Sequence, residues 1–216
     1  MRGFQISSEE ILKEQKMATT YLRRGNAKLS KDTLVWNIPA GMEVCGRECP
    51  GCYALKTQNR WKNVKESWER NLELAKSPMF MPTIINEIDR AVKSKNPPRF
   101  VRIHGSGEFF SEEYIRAWKY ISVAFPEIIF YTYTKRWEDF RSAFNALVRR
   151  PNVVVHDSLA GGMINFSSEE KIQKVIERSG GFLCPHSKDR NHECGSLCTW
   201  CMDKANEGTP IYFIKH

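Results

Sequence analysis

Short runs dense in β-branched and aromatic residues alternate along this chain with longer stretches whose apolar positions recur at helical spacing. Residues 33–38, 99–104, 128–134 and 152–156 have the first pattern and predict four strands. Between them, Trp61, Val64, Trp68, Leu72 and Leu74 predict one helix, broken at Pro78 and Pro82 before a second through Ile84, Ile85, Ile88 and Val92. The tryptophans of these stretches are expected in the core. Ser111 caps a helix through Tyr114, Ile115, Trp118 and Ile121 that stops near Phe125 and Pro126, and 137–150 forms the next. Ser7, Ser8, Glu9 and Glu10 form a capping box that predicts an N-terminal helix over 7–22, followed by a polar connector with Arg23, Arg24, Lys28 and Lys31. Ser167 to Glu170 repeat the capping pattern ahead of Ile172, Val175 and Ile176, with Gly180 and Gly181 as the stop. Phe182 and Leu183 then begin a brief fifth strand, and 211–214 is a final strand expected to close the sheet.

Strands alternating with helices predict an α/β fold, a mostly parallel sheet with helical crossovers. The expected architecture is a partial (β/α) barrel of about five to six strands carrying a C-terminal four-cysteine metal loop. One domain is expected: 1–32 as helix and connector, 33–180 as the β/α core, and 181–216 as a cysteine-rich region packed on it. Functional groups of such folds gather at the carboxyl ends of the strands. Four segments lie there: the loop of Cys45, Cys49 and Cys52; Gly105, Gly107 and Glu108; Thr134 and Lys135; and His156 with Ser158. His104, at the end of the second strand, is either a satisfied sheet-end histidine or a functional group.

Seven cysteines fall into two groups. Cys45, Cys49 and Cys52 have the spacing C-x3-C-x2-C after the first strand. Three thiolates are one short of a closed tetrahedral zinc site or a fully ligated four-iron cluster, so a metal held here keeps an open position. A zinc knuckle completed by a distant ligand is the alternative. Cys184, Cys194, Cys198 and Cys201 repeat the spacing and can close on zinc or on a second four-iron cluster, as a structural site. His186 and His192 are spare candidate ligands. With no apolar run long enough to span a membrane and no signal-peptide core, the expected location is the cytoplasm, where thiols stay reduced and favour metal over disulfides. A net charge of +8 fits a polyanionic partner, a nucleic acid or nucleotide.

The three-cysteine motif after a first strand resembles the cluster motif of the radical S-adenosylmethionine (SAM) superfamily. That resemblance implies a four-iron four-sulfur cluster on Cys45, Cys49 and Cys52 whose open iron chelates SAM, reductive cleavage of SAM to a 5'-deoxyadenosyl radical, and an electron donor such as flavodoxin or ferredoxin. It implies that Gly105, Gly107 and Glu108 hold the methionine moiety, with Ser106 inserted between the glycines. Tyr53, Thr134, Lys135, His156 and Ser158 complete the expected cofactor site. The chain departs from the motif at Gly51, where most members carry an aromatic residue, and Tyr53 is the ring placed to pack on adenine instead. Asn26 to Ser30, Ile38 to Gly41, Cys49 to Ala54, Arg102 to Phe109 and Tyr133 to Lys135 also resemble the phage gene-product-88 family, which implies metal binding and a phage or prophage source. The rival reading is a non-enzymatic zinc or iron-sulfur protein that binds nucleic acid, with Arg47, Lys56, Arg60, Lys188, Arg190 and Trp200 near its metal loops.

Overall fold

A computed structural model describes residues 20–47, 49–158, 163–166 and 168–214. The main sheet has five strands in the order β1 (Arg23–Arg24), β2 (Thr33–Trp36), β3 (Phe100–Ile103), β4 (Ile129–Thr134) and β5 (Val153–Asp157). β2 to β5 are parallel, and their register aligns Trp36 with Ile103, Ile103 with Thr132, and Thr134 with Asp157, so their carboxyl ends share one edge. β1 is antiparallel to β2 and occupies what the sequence reading took for a connector. Sequential order is what helical crossovers between neighbouring parallel strands produce. The sheet is open: β1 and β5 are its edges among the described residues.

Side-chain alternation along the strands separates two faces. Leu34, Trp36, Val101, Ile103, Phe130, Val153 and Val155 point to one side. There they pack on α4 (Phe80–Val92), α5 (Glu112–Ala124) and α6 (Arg141–Val148) through Ile84, Ile88, Ile115, Trp118, Phe144 and Leu147. Trp36, Phe80 and Trp118 meet at centroid distances of 5.4–6.0 Å in this core. Ser111 caps α5 as expected, its Oγ accepting from Tyr114 N. The opposite face carries Phe100, Tyr131 and Val154 and is covered by Met202 and Cys194 of the C-terminal segment.

Three expectations change. Most of the predicted N-terminal helix lies outside the described residues, and its end is not helical: Tyr21 N and Leu22 N donate to the Glu87 carboxylate on α4 instead of to helical carbonyls. Trp61 and Trp68 are not core residues. Trp61 is 52% exposed in the single-residue break between α2 (Tyr53–Arg60) and α3 (Lys62–Ala75), with the Arg60 guanidinium over its ring, so the helical spacing ran across two helices. The late strands do not extend the main sheet. β6 (Met163–Phe166), unseen in the sequence, and β7 (Phe182–Leu183) both pair in parallel with β8 (Ile211–Ile214), forming a second sheet in the order β6-β8-β7. β8 is central there, with Ile211 and Tyr212 buried. Strand propensity shows that a segment is extended but not which edge it joins. α7 (Glu169–Ser179), capped by Ser168, links β6 to β7.

Candidate functional site

The three-cysteine loop leaves β2 and turns through α1 (Met42–Cys45). Gly46 closes this short helix at φ 65°, and a Cβ there would lie 1.6 Å from Arg136 Nη1. Glycine is therefore required by conformation and by space. Arg136 uses that space to donate to Cys45 O at 2.9 Å, and Asp139 holds its other edge at 2.6 Å. Cys49 O accepts from Cys52 N, and Cys52 N-caps α2. Cys45 lies within electrostatic reach of Cys49, Cys52 and Glu108; burial is the main cause that pushes its thiol above the usual range. Lys135 Nζ sits 3.1 Å from Cys49 Sγ, so the β4 loop reaches the cysteine loop through this side chain.

The loops after β3 and β4 meet the same place. Gly105 N donates to Trp36 O, and Gly105 O accepts from the Tyr53 hydroxyl, so this exposed tyrosine ties the cysteine loop to the β3 loop. Gly107 has φ 86°, and a Cβ there would stand 2.3 Å from Ile38 Cγ1. Its absence lets the loop lie against the end of β2. Glu108 is buried, and its carboxylate accepts from Phe109 N at 2.9 Å, Thr134 Oγ1 at 2.9 Å and Lys135 N at 2.8 Å. Of about four acceptor positions on a carboxylate, three are used within the protein. Burial raises its pKa, and these donors offset part of the rise. Thr134 is fully buried between Glu108 and Arg136 N. Glu108 thus fixes where Lys135 begins, and Lys135 reaches Cys49.

His104 has a positive φ of 61°, rare for a residue with a side chain. Its buried ring packs edge-on to Phe109 at 4.5 Å, and Nε2 shares a 2.9 Å hydrogen bond with the Tyr114 hydroxyl, which accepts from Trp36 Nε1. Burial lowers its pKa to about 3. Nε2 is thus partnered, whereas Nδ1 is buried without a hydrogen-bond partner among the described residues.

The second cysteine group lies across the face opposite α4–α6. Cys194 feels the charges of Cys184, Cys198 and Cys201, and burial raises its thiol to about 11. Ser30 N donates to Cys194 O and Cys194 N to Lys28 O, both at 2.8 Å, while Gly195 N donates to Cys198 O. Tyr133 of β4 hydrogen-bonds the Cys201 thiol, and His156 Nε2 meets Cys201 O at 3.0 Å. His156, 1% exposed, stacks between Tyr133 at 5.1 Å and Trp200 at 6.3 Å, and Trp200 stacks on Phe182 at 4.4 Å. The structure therefore places His156 under the four-cysteine segment, whereas Ser158 N, at the strand-end edge, donates to Thr134 O. His186 Nδ1 meets His192 O at 3.0 Å.

Among the described residues no three Cys, His, Asp or Glu side chains form a ready-made metal shell. Both groups nonetheless supply metal-binding chemistry. The first offers three thiols and a neighbouring ammonium, a donor set suited to a metal with one position left over. The second offers four thiols in mutual electrostatic reach, suited to a closed site.

Residues 20–208 match the Gene product 88 family, nearly all of the described chain. The chain belongs to that family. Two relatives carry the name Gene 88 protein, from Mycobacterium phages D29 and L5, each 28% identical over 112 residues. These alignments cover 45% of this chain and 45–46% of the relatives, so less than half of either protein is compared. No solved structure matches. The relatives are phage proteins, in line with the expected source, and no helix among the described residues is long and apolar enough to cross a membrane. Arg136 follows Thr134 and Lys135 at the strand-end edge, where sequence order predicts a carboxylate or phosphate contact, and its carboxylate is Asp139; Arg102 is the residue that sequence order alone does not single out. The signal for Arg102 was available: period-2 alternation puts a lone arginine among apolar neighbours in a central strand.

Proposed function

We propose that this gene product 88 family member is an iron-sulfur enzyme of the radical SAM type, its main sheet an open half of a (β/α) barrel. The observation that carries this reading is the three-cysteine loop at the strand-end edge, where Cys45 lies within electrostatic reach of Cys49, Cys52 and Glu108, and Lys135 touches Cys49. The bound pair of cluster and SAM would supply reductive cleavage to a 5'-deoxyadenosyl radical. The protein's own part is to position and enclose. Cys45, Cys49 and Cys52 hold the metal, Lys135 balances thiolate charge at Cys49, and Glu108 fixes the β4 loop while keeping one acceptor position for an amino group. Tyr53 presents an exposed ring beside the loop for the adenine. Cys184, Cys194, Cys198 and Cys201 hold zinc or a second cluster with a structural role. The net charge supports a nucleic acid or nucleotide substrate, and flavodoxin or ferredoxin would supply electrons.

The test is anaerobic reconstitution with iron and sulfide, iron and zinc quantification, reduction, and assay for 5'-deoxyadenosine after SAM is added. Product that depends on Cys49, lost in Cys49→Ala, supports the enzyme. Two zinc ions, no iron uptake and no product leave the zinc-protein reading in its place.

A further inference from the structure

Arg102 occupies a position that packing does not explain. The register aligns Val35, Arg102, Tyr131 and Val154 in one row across β2 to β5, on the face opposite the helices. Its three companions are 2%, 2% and 1% exposed, whereas Arg102 is half-buried. A guanidinium in the middle of a sheet loses much of its hydration, and proteins normally offset this with a carboxylate. Arg136 follows that rule through Asp139. Arg102 has no carboxylate partner among the described residues.

Its orientation is nevertheless fixed. The guanidinium carbon lies 4.1 Å from the Tyr133 ring centroid and 5.1 Å from that of Tyr131, and Nε donates to His104 O at 3.3 Å. Two cation–π contacts and one hydrogen bond hold the plane and leave Nη1 and Nη2 without an acceptor among the described residues. Beside it the Tyr131 hydroxyl, on the register partner of Arg102, is buried and also without a hydrogen-bond partner there. The Tyr53 hydroxyl, next to the first cysteine loop, and Cys201, in the second group, both lie within electrostatic reach of Arg102.

We infer that Arg102 anchors an oxyanion, a phosphate or carboxylate of a small-molecule ligand, on the face of the sheet between the two cysteine groups. A planar fork with both Nη groups unpartnered among the described residues can donate to two oxygens of such a group at once, and the Tyr131 hydroxyl supplies a further donor. The inference stands apart from SAM cleavage, since it requires neither a reduced cluster nor turnover.

The test uses the full chain as purified, with its metal content measured, in isothermal titration calorimetry at 0.15 M salt. Pyrophosphate is the phosphate probe and citrate the carboxylate probe, and the better binder identifies the source of the oxyanion. Arg102→Met is expected to weaken binding at least tenfold, and Arg102→Lys, which keeps charge but not the fork, several-fold. Arg99→Gln, at an exposed arginine paired with Asp32, is expected to stay within twofold. In the unmodified protein, phenylglyoxal labelling of Arg102, read by peptide mass spectrometry, slows when the bound probe is present; this arm holds even if the Met variant does not fold. Binding unchanged in both Arg102 variants, or labelling unaffected by either probe, overturns the inference. So does an Arg102→Met protein that keeps anion affinity but loses its metal, because Arg102 then serves the thiolates of the four-cysteine group.

Discussion

The two cysteine groups share one spacing and differ in almost everything the fold does with them. The first hangs from the edge where β2, β3 and β4 end, in a loop pinned by Arg136 and touched by Lys135. The second is stitched to the body of the sheet, by Lys28 and Ser30 at Cys194 and by His156 and Tyr133 at Cys201. The spacing sets how thiols converge, and the surroundings decide whether the site stays open or closes. An incomplete donor set at a strand-end edge suits chemistry, and a complete one clamped over a sheet face suits architecture.

That contrast can be broken most forcefully at the second group. On the proposed reading a metal there would secure a segment that covers the sheet and carries Trp200 and Met202, so Cys201→Ala should lower the thermal midpoint by roughly 10 °C or more, with loss of bound metal. Cys49→Ala should move it by only about 2 °C, because the first loop is held by protein hydrogen bonds. Equal losses from both variants in thermal melts would erase the distinction.

Glu108 is the next largest effect. Glu108→Ala leaves Phe109 N, Thr134 Oγ1 and Lys135 N without their acceptor, which should cost about 3 kcal/mol in denaturant unfolding. Its pKa is raised in the fold, so its contribution is fully present below the ordinary value of 4.5 and declines as pH rises through the raised value. Relative to the native protein, Glu108→Gln should therefore gain stability steadily as pH climbs above 4.5. A difference that is flat with pH would contradict this.

His104 titrates in the opposite sense. Its pKa falls from 6.5 to about 3, so it stabilises the fold above 6.5 and loses that contribution as pH drops toward 3. Between pH 6.5 and 5 the loss is about 2 kcal/mol, and His104→Asn, which tolerates positive φ and does not titrate, should remove it. Paired unfolding curves at the two pH values read this directly. The smallest effect belongs to Arg47, whose half-exposed pair with Asp139 at 3.5 Å should be worth less than about 0.5 kcal/mol when changed to Gln.

Much of this organisation was legible in the sequence because it follows from periodicity and short-range chemistry. β2 to β5, the Ser111 and Ser168 caps, the gathering of loops at one edge and the division of the cysteines all rest on such local signals. Partnership was not legible. β7 and β8 are legible as strands, yet nothing local says that they pair with each other, and β8 with β6, rather than with β5. Thr134 and Glu108 were singled out as ligand contacts, and the structure shows them hydrogen-bonded to each other, a relation across 26 residues that no spacing encodes. His156 followed a strand end in sequence, but its alternation turns it beneath Trp200. Trp61 carried a core residue's identity into a helix break at the surface.

Electron paramagnetic resonance of the reduced, reconstituted protein, with and without SAM, tests the open-versus-closed contrast most directly. The open first site predicts a four-iron signal component whose shape changes when SAM is added, and loss of that component in Cys49→Ala while the metal of the four-cysteine group remains. A spectrum with no component that responds to SAM, or a SAM-responsive component that survives Cys49→Ala and vanishes in Cys201→Ala, would contradict that open-versus-closed division.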